Sequence, residues 1–294
     1  MPSSHHESSV TVSTRLLDYL LTTYASKGRI LLKKVLTAGQ VSVNGRQYTR
    51  HDVQLVPGDK VLVSWIPLPP KPVFSKLNLE YQDDHILVIN KMAGLLSVAT
   101  DHENELTAYR QLRDYVKATQ PGKGLYIVHR LDRDTSGLML FAKSEKVQES
   151  LQRTWAETII SRRYVAVAEG VVLEEKGTIT SYLRESKALK MHSSPHSSDG
   201  DLAITHYKLL KKGAHYTLLE LELETGRKNQ IRVHLSDMKH PVAGDKKYGA
   251  KTNPIGRLAL HAAGLAFTHP VTGKLMEFRL PVPGKFLHLV AAEL

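Results

Sequence analysis

Nine consecutive residues carry more chemistry than their place in the chain requires: His129-Arg130-Leu131-Asp132-Arg133-Asp134-Thr135-Ser136-Gly137. An apolar triplet, Tyr126 to Val128, precedes them, and a second apolar run, Leu138 to Ala142, follows. The pattern reads strand, polar turn, strand. A turn needs a few polar residues and a glycine, whereas this one sets cations or potential cations and two carboxylates around Asp132. Such charge between buried strands costs free energy unless it pairs or does chemistry. The plainest alternative is a solvated hairpin tip. Two more clusters of the same kind follow. Gly226-Arg227-Lys228-Asn229-Gln230-Ile231-Arg232-Val233-His234-Leu235 puts cations at a predicted helix N-terminus, where backbone N–H groups attract anions. His240-Pro241-Val242-Ala243-Gly244-Asp245-Lys246-Lys247-Tyr248-Gly249 is a polar, turn-rich loop.

Residues from 73 onward supply the elements that would hold these clusters. Leu79–Tyr81, Ile86–Asn90, Arg163–Ala168 and Tyr216–Leu223 read as strands, and Glu105–Thr119 and Lys146–Glu157 as helices, the second with Ser144 as N-cap. Ser193–Gly200 reads as a mobile loop. Helices fall among the strands without a regular βαβ rhythm. The expectation is an α+β fold with a mixed, largely antiparallel sheet.

The 294 residues are 41% hydrophobic and 23% charged, as in a soluble globular protein of more than one domain. The absence of cysteine removes disulfides, thiolate metal sites and thiol nucleophiles, and it fits a cytoplasmic location. No apolar run reaches the length of a membrane span, and the Ser- and His-rich start lacks a signal peptide's apolar core. Net charge is +11, which favours a polyanionic partner. From Ser13 to Pro72, nine Lys or Arg stand against three Asp and no Glu, an excess of six. That segment ends in Pro67-Leu68-Pro69-Pro70-Lys71-Pro72, a stiff linker by composition. Three parts are therefore expected: a disordered tail at 1–12, a basic domain at 13–72 and a larger domain at 73–294.

In the basic domain, Leu16, Leu17, Leu20 and Leu21 recur at helical spacing, and Ile30, Leu31, Val35 and Leu36 repeat the pattern in a second helix. Arg29, Lys33 and Lys34 cluster on that helix, and Val41-Ser42-Val43-Asn44-Gly45-Arg46 enters a tight hairpin. Two small helices and a basic hairpin present a cationic face suited to structured RNA. The run from Arg15-Leu16-Leu17-Asp18 through Gly39-Gln40-Val41-Ser42-Val43-Asn44-Gly45 to Pro57-Gly58-Asp59-Lys60-Val61 resembles an S4 RNA-binding domain, a small α/β fold. The resemblance implies RNA contacts from Arg29, Lys33, Lys34 and Arg46.

The larger domain resembles the RluA-type pseudouridine synthases from Tyr81 to about Leu280. The H-R-L-D-x-x-T-S-G, G-R-x-x-Q-I-R-x-H-L and H-P-x-x-G-D-x-x-Y-G elements carry the likeness in order. An S4 domain ahead of this catalytic domain is an arrangement known in that family. The resemblance implies an enzyme that detaches uracil from ribose at N1, turns it and rejoins it through C5, with no cofactor and no metal. Asp132 would be the catalytic carboxylate, attacking C1′ or assisting proton loss from C2′. Arg232 would pair with it, with Arg227 the second choice. Tyr164 would stack on the uracil with its hydroxyl near C5. Arg130 would fill the space left by the flipped nucleotide, and Arg227 and Gln230 would bind substrate. The implied partner is structured RNA, ribosomal RNA of the large subunit first and transfer RNA second, acted on by a monomer. Two places depart from the family pattern. Lys91-Met92 stands where Lys-Pro is usual, and Lys228-Asn229 where Thr-His or Ser-His is usual.

Three other readings compete. Asp132-Arg133-Asp134-Thr135 has the D-x-D-x-T form of aspartyl-phosphate phosphatases, but cationic motifs follow it where magnesium-binding acids would be needed. A nucleoside hydrolase or glycosylase would also place a carboxylate at C1′, and it would release free base. A non-catalytic RNA-binding or ribosome-assembly protein would not need Asp132 or Tyr164, and both are present.

Overall fold

The computed structural model describes residues 5–65, 73–99 and 106–291. The proline-rich linker at 67–72 and the expected helix start at Glu105 lie outside them. The chain divides into two compact units, residues 1–73 and 74–294.

Unit 1 runs β1 (His5–Ser9), β2 (Thr14–Arg15), α1 (Leu16–Thr23), α2 (Arg29–Thr37), β3 (Val41–Val43), β4 (Arg46–Tyr48), β5 (Gln54–Leu55) and β6 (Lys60–Ser64). Its main sheet has the order β1-β6-β3-β4, and β2 pairs with β5. The helices bury Leu16, Leu17, Leu20, Leu32, Val35 and Leu36 against Val41, Leu55, Val61 and Val63. Asn44 and Gly45 both take positive φ, 49° and 80°, which a two-residue hairpin turn demands. Asn44 also reaches the later turn: its Nδ2 donates to Asp59 Oδ1 at 2.8 Å, and its Oδ1 accepts from Lys60 N at 2.9 Å. The N-G and P-G-D signals of the sequence thus meet in one junction.

Two expectations for this unit need correction. Residues 5–9, expected as disordered tail, form β1 and pair antiparallel with β6. His6 Nδ1 is hydrogen-bonded to Tyr24 Oη at 2.8 Å and Val10 is buried, so side chains as well as backbone pin the segment. Ile30 and Leu31, expected on the apolar face of α2, are exposed. That face is set by Leu32, Val35 and Leu36, at i, i+3 and i+4.

Unit 2 runs β7 (Leu77–Gln82), β8 (Ile86–Lys91), α3 (Ala108–Thr119), β9 (Tyr126–Ile127), β10 (Ser136–Ala142), α4 (Glu145–Arg153), α5 (Trp155–Thr158), β11 (Ile159–Glu169), β12 (Lys176–Glu185), β13 (Met191–Ser194), β14 (Asp201–Lys212), β15 (Tyr216–Leu223), α6 (Gln230–Asp237), β16 (Leu260–Thr268), β17 (Leu275–Arg279) and α7 (Gly284–Leu289). The strand order is β13-β12-β14-β15-β11-β16-β10-β8-β7, with β17 also on β16 and β9 also on β10. Among the described residues only the β10–β16 pairing is parallel, so the sheet is mixed and largely antiparallel. Ser144 Oγ accepts from Val147 N and caps α4. Of residues 193–200, expected as a mobile loop, the first two end β13 and the rest form a loop with a 3₁₀ turn at Ser197–Asp199.

The parallel contact is short: Ser136 opposite His261 and Gly137 opposite Ala262. Gly137 has φ of 119°, and a Cβ there would overlap the backbone of Ala262. The glycine that closes the T-S-G run is therefore a requirement of the close approach of two strands. This junction fixes where the loop before β10, residues 128–135, emerges from the sheet.

Candidate active site

A second segment clamps the loop that carries Asp132. Ser97 Oγ donates to Leu131 O at 2.6 Å, and Leu131 N donates to the same hydroxyl at 3.2 Å. Gly94 N donates to Arg133 O at 2.8 Å. Lys91, fully buried at the end of β8, donates from Nζ to Met92 O, Leu95 O and Arg133 O at 3.2, 2.8 and 2.9 Å. Burial pushes its pKa down to about 8, with Asp134 and Asp132 opposing the fall. The backbone on both sides of Asp132 is thus held, while its carboxylate stays open to solvent.

Arg232, the third residue of α6, meets that carboxylate. Its Nη1 donates to Asp132 Oδ2 at 3.1 Å and to Asn229 Oδ1 at 3.0 Å. Its other edge grips Asp245, Nε to Oδ2 at 2.7 Å and Nη2 to Oδ1 at 2.8 Å. The Tyr248 ring centroid lies 4.9 Å from the guanidinium carbon. Burial opposes the arginine's charge, but the hydrogen bonds and charge of Asp245, joined by Asp132, outweigh it and raise its pKa. Side-chain exposure separates the two carboxylates, 1% for Asp245 and 37% for Asp132. Asp245 is an internal anchor, and Asp132 is the carboxylate that a ligand can reach.

Asp132 and Arg232 border a cavity of about 380 Å³, in the range of small-ligand sites. Tyr164, Arg130, Arg227 and Leu260 are also in its wall. Tyr164 sits in β11 at a register irregularity that follows Arg163, the kind of bulge that re-aims a side chain. Burial pushes its phenol up to about 12; Arg162 opposes the shift and Asp132 adds to it. It is therefore a neutral hydroxyl at physiological pH.

Not every residue of the opening motif is an available charge. His129 Nε2 accepts from Leu140 N at 3.0 Å, and burial, with Arg162 adding, takes its pKa down to about 4. It is a neutral structural ring, so the turn holds fewer cations than its sequence offers. Arg130 and Arg133 are exposed.

The other sequence-derived candidates divide. Gln230 borders the cavity, but its amide is occupied by the protein. Its Oε1 accepts from Thr225 Oγ1 and Arg227 N, and its Nε2 donates to Ile204 O and Thr205 Oγ1. It shapes the start of α6, and a direct polar contact with substrate would cost it one of these bonds. Arg227 donates from Nε to Leu202 O at 3.0 Å and lies 3.7 Å from Asp201, so its partner is not Asp132. Arg29, Lys33, Lys34 and Arg46 are exposed in unit 1, Arg46 lying 5.5 Å from the Tyr48 ring. Sequence reasoning missed the roles of Lys91, Ser97, Asp245 and Tyr248. The H-P-x-x-G-D-x-x-Y-G element held the last two in view, but nothing in it says which buried group they grip. Among the described residues, no group of three or more His, Asp or Glu is placed to hold a metal ion.

Comparison with known proteins bears on this geometry. The family model described as RNA pseudouridylate synthase matches residues 85–237, which hold both Asp132 and Arg232. An uncharacterized RNA pseudouridine synthase of Bacillus subtilis, YlyB, is 36% identical over 95% of this chain and 93% of its own length. The ribosomal large subunit pseudouridine synthase D of Pasteurella multocida is 36% identical over 74% of this chain and 70% of its own length. Among solved structures, human RNA pseudouridylate synthase domain containing 4 superposes with a TM-score of 0.59 at 24% identity, covering 72% of this chain and 90% of that one, a likeness of fold. The match spans the clamped carboxylate and the arginine that meets it, and the chain belongs to the RNA pseudouridylate synthase family.

Proposed function

We propose that this enzyme isomerises specific uridines in structured RNA, with large-subunit ribosomal RNA as its first substrate and transfer RNA as its second. One observation carries the reading: a solvent-reachable carboxylate, Asp132, held at 3.1 Å from a guanidinium whose far edge Asp245 grips, at the edge of a nucleotide-sized cavity. Relatives named for the large ribosomal subunit support the choice of RNA.

The reaction needs an ionised carboxylate beside C1′ and C2′ of the target ribose. Asp132 supplies it, and Arg232 balances its charge. From that position it attacks C1′ or assists loss of the C2′ proton, and either route breaks the bond to uracil N1. Tyr164 stacks on the freed base as it turns to present C5. C5 then bonds to C1′, displacing Asp132 where it has attacked there; as a neutral phenol Tyr164 takes the C5 proton only while passing its own to solvent, and N1 takes up a proton from solvent in return. A target within a stem must first leave its stack, and Arg130 fills the gap. Unit 1, read as an S4-like domain over residues 13–72, holds the RNA by its phosphates through Arg29, Lys33, Lys34 and Arg46. A cytoplasmic monomer fits this role.

The test maps pseudouridine in total cellular RNA with the gene, without it, and with only Asp132→Asn. At least one position in large-subunit ribosomal RNA is expected to lose its pseudouridine in both altered strains. Asn is nearly isosteric but uncharged, so RNA affinity of the purified variant should stay within about tenfold, because phosphate contacts dominate binding. Pseudouridine retained in the Asp132→Asn strain removes Asp132 from the reaction. Loss confined to another RNA moves the substrate assignment.

A further inference from the structure

We propose that Asn229 is a positioning residue that aims the Nη1 edge of Arg232 at Asp132. The inference rests on Asp132 being the reacting carboxylate, and it concerns the position where this chain departs from its family's usual pattern.

Asn229 is the N-cap residue of α6, with φ 54° and ψ 19°, a left-handed conformation that Asn and Gly tolerate best. That conformation lets both ends of the carboxamide be used. Oδ1 accepts from Arg232 Nη1 at 3.0 Å, and Nδ2 donates to Tyr248 Oη at 2.9 Å. The orientation follows from the partners, since a guanidinium can only donate and so must face the amide oxygen. Tyr248 is fixed in turn, because its hydroxyl also accepts from Met191 N at 3.1 Å.

The consequence lies in how the five guanidinium hydrogens are spent. Asp245 takes Nε and Nη2, which sets the plane of the group. Nη1 carries two hydrogens about 120° apart. When Asn229 Oδ1 takes one, the other points at Asp132 Oδ2. Asp245 holds only the far edge, so without the amide the group can pivot about that edge and Nη1 can turn toward water. Asp132 then keeps a neighbouring positive charge but loses its direction. A carboxylate at 229 would also accept from Arg232, but it would add a negative charge beside Asp132 and would have no N–H for Tyr248 Oη.

The test uses the full chain and the RNA whose pseudouridine disappears on gene deletion. Single-turnover rate and RNA affinity are measured for wild type, Asn229→Gly, Asn229→Asp, Tyr248→Phe and the Asn229→Gly/Tyr248→Phe pair, with Asp132→Asn in parallel. Glycine keeps the left-handed backbone, so the fold is retained and melting temperature checks this. The expected result for Asn229→Gly is a loss of about tenfold or more in rate, the scale of one hydrogen bond to a charged group, with affinity unchanged. Asn229→Asp should not rescue the rate. Tyr248→Phe should lose less, and the pair should be no slower than Asn229→Gly alone, because both changes cut one connection. An Asn229→Gly enzyme as fast as wild type overturns the proposal, as does full activity in Asn229→Asp. So do fully multiplicative effects in the pair. Activity in Asp132→Asn would instead overturn the reading of the site beneath it.

Discussion

Two carboxylates hold one guanidinium at this site, and they hold it for different reasons. Asp245 is buried and takes two of the arginine's nitrogens in a bidentate grip, while Asp132 takes a single hydrogen bond at the cavity edge. The buried pair offsets the cost of bringing the arginine inward, and the exposed carboxylate is left open to a ligand. This predicts unequal effects at Arg232. Arg232→Lys keeps the charge but cannot serve Asp245 and Asp132 at once, since an ammonium has no planar fork. Its single-turnover rate should fall at least about tenfold, by loss of one charge-assisted bond, with RNA affinity retained. Arg232→Ala should fall further and lower the melting temperature, because Asp245 is left buried and unpaired. Equal rates for Arg232→Lys and wild type would mean that charge alone suffices and that direction is unimportant.

The strands and loops that deliver these residues were partly legible in the sequence. Leu138–Ala142 and Tyr216–Leu223 announce themselves by apolar runs and alternation, and the turn at Asn44-Gly45 by its residue types. The clamp on the loop that carries Asp132 was not legible. It joins residues 91–97 to 131–133, and nothing local in either stretch encodes the other. Lys91 lies just past the strand expected at Ile86–Asn90, yet it ends that buried strand with its ammonium on three carbonyls. The charge of His129 was misjudged for the same reason, because protonation is set by burial. Lys91 makes the clamp sensitive to pH. Below about pH 8 it is an ammonium with three hydrogens for three carbonyls. Above that pH it is an amine with two, one carbonyl loses its donor, and the loop loosens. Turnover should therefore fall as pH rises through about 8, and Lys91→Met should show a lower rate without that limb. Stability carries the opposite sign. The folded pKa lies below the ordinary 10.5, so between about 8 and 10.5 the unfolded chain binds more protons. Across that window this group's contribution rises with pH. A rate that falls while the Lys91 contribution to melting temperature does not is the expected signature. A wild-type limb that persists in Lys91→Met assigns the titration elsewhere.

Across the full chain, charge and apolar burial divide differently. Residues 13–72 hold six of the eleven excess positive charges, whereas the cavity and its carboxylate belong to residues 74–294. Each unit buries its own core, Leu16, Leu20, Leu36 and Val63 in the first, Val167, Leu219, Leu235 and Phe286 among others in the second. A chain starting at Phe74 should therefore fold and keep the Asp132–Arg232–Asp245 arrangement. Its RNA binding should be weaker, because neutralising phosphates releases counterions and unit 1 would no longer supply the cations. The plot of log affinity against log salt should become shallower by about 0.7 to 0.9 for each phosphate that is no longer neutralised. Chemistry on RNA already bound should change little, so single-turnover rates at saturating enzyme should approach those of the full chain while the concentration needed to saturate rises. Equal salt slopes for the two chains would show that the basic unit does not grip phosphate. A truncated enzyme that saturates normally but reacts slowly would place unit 1 in the chemistry rather than in the binding.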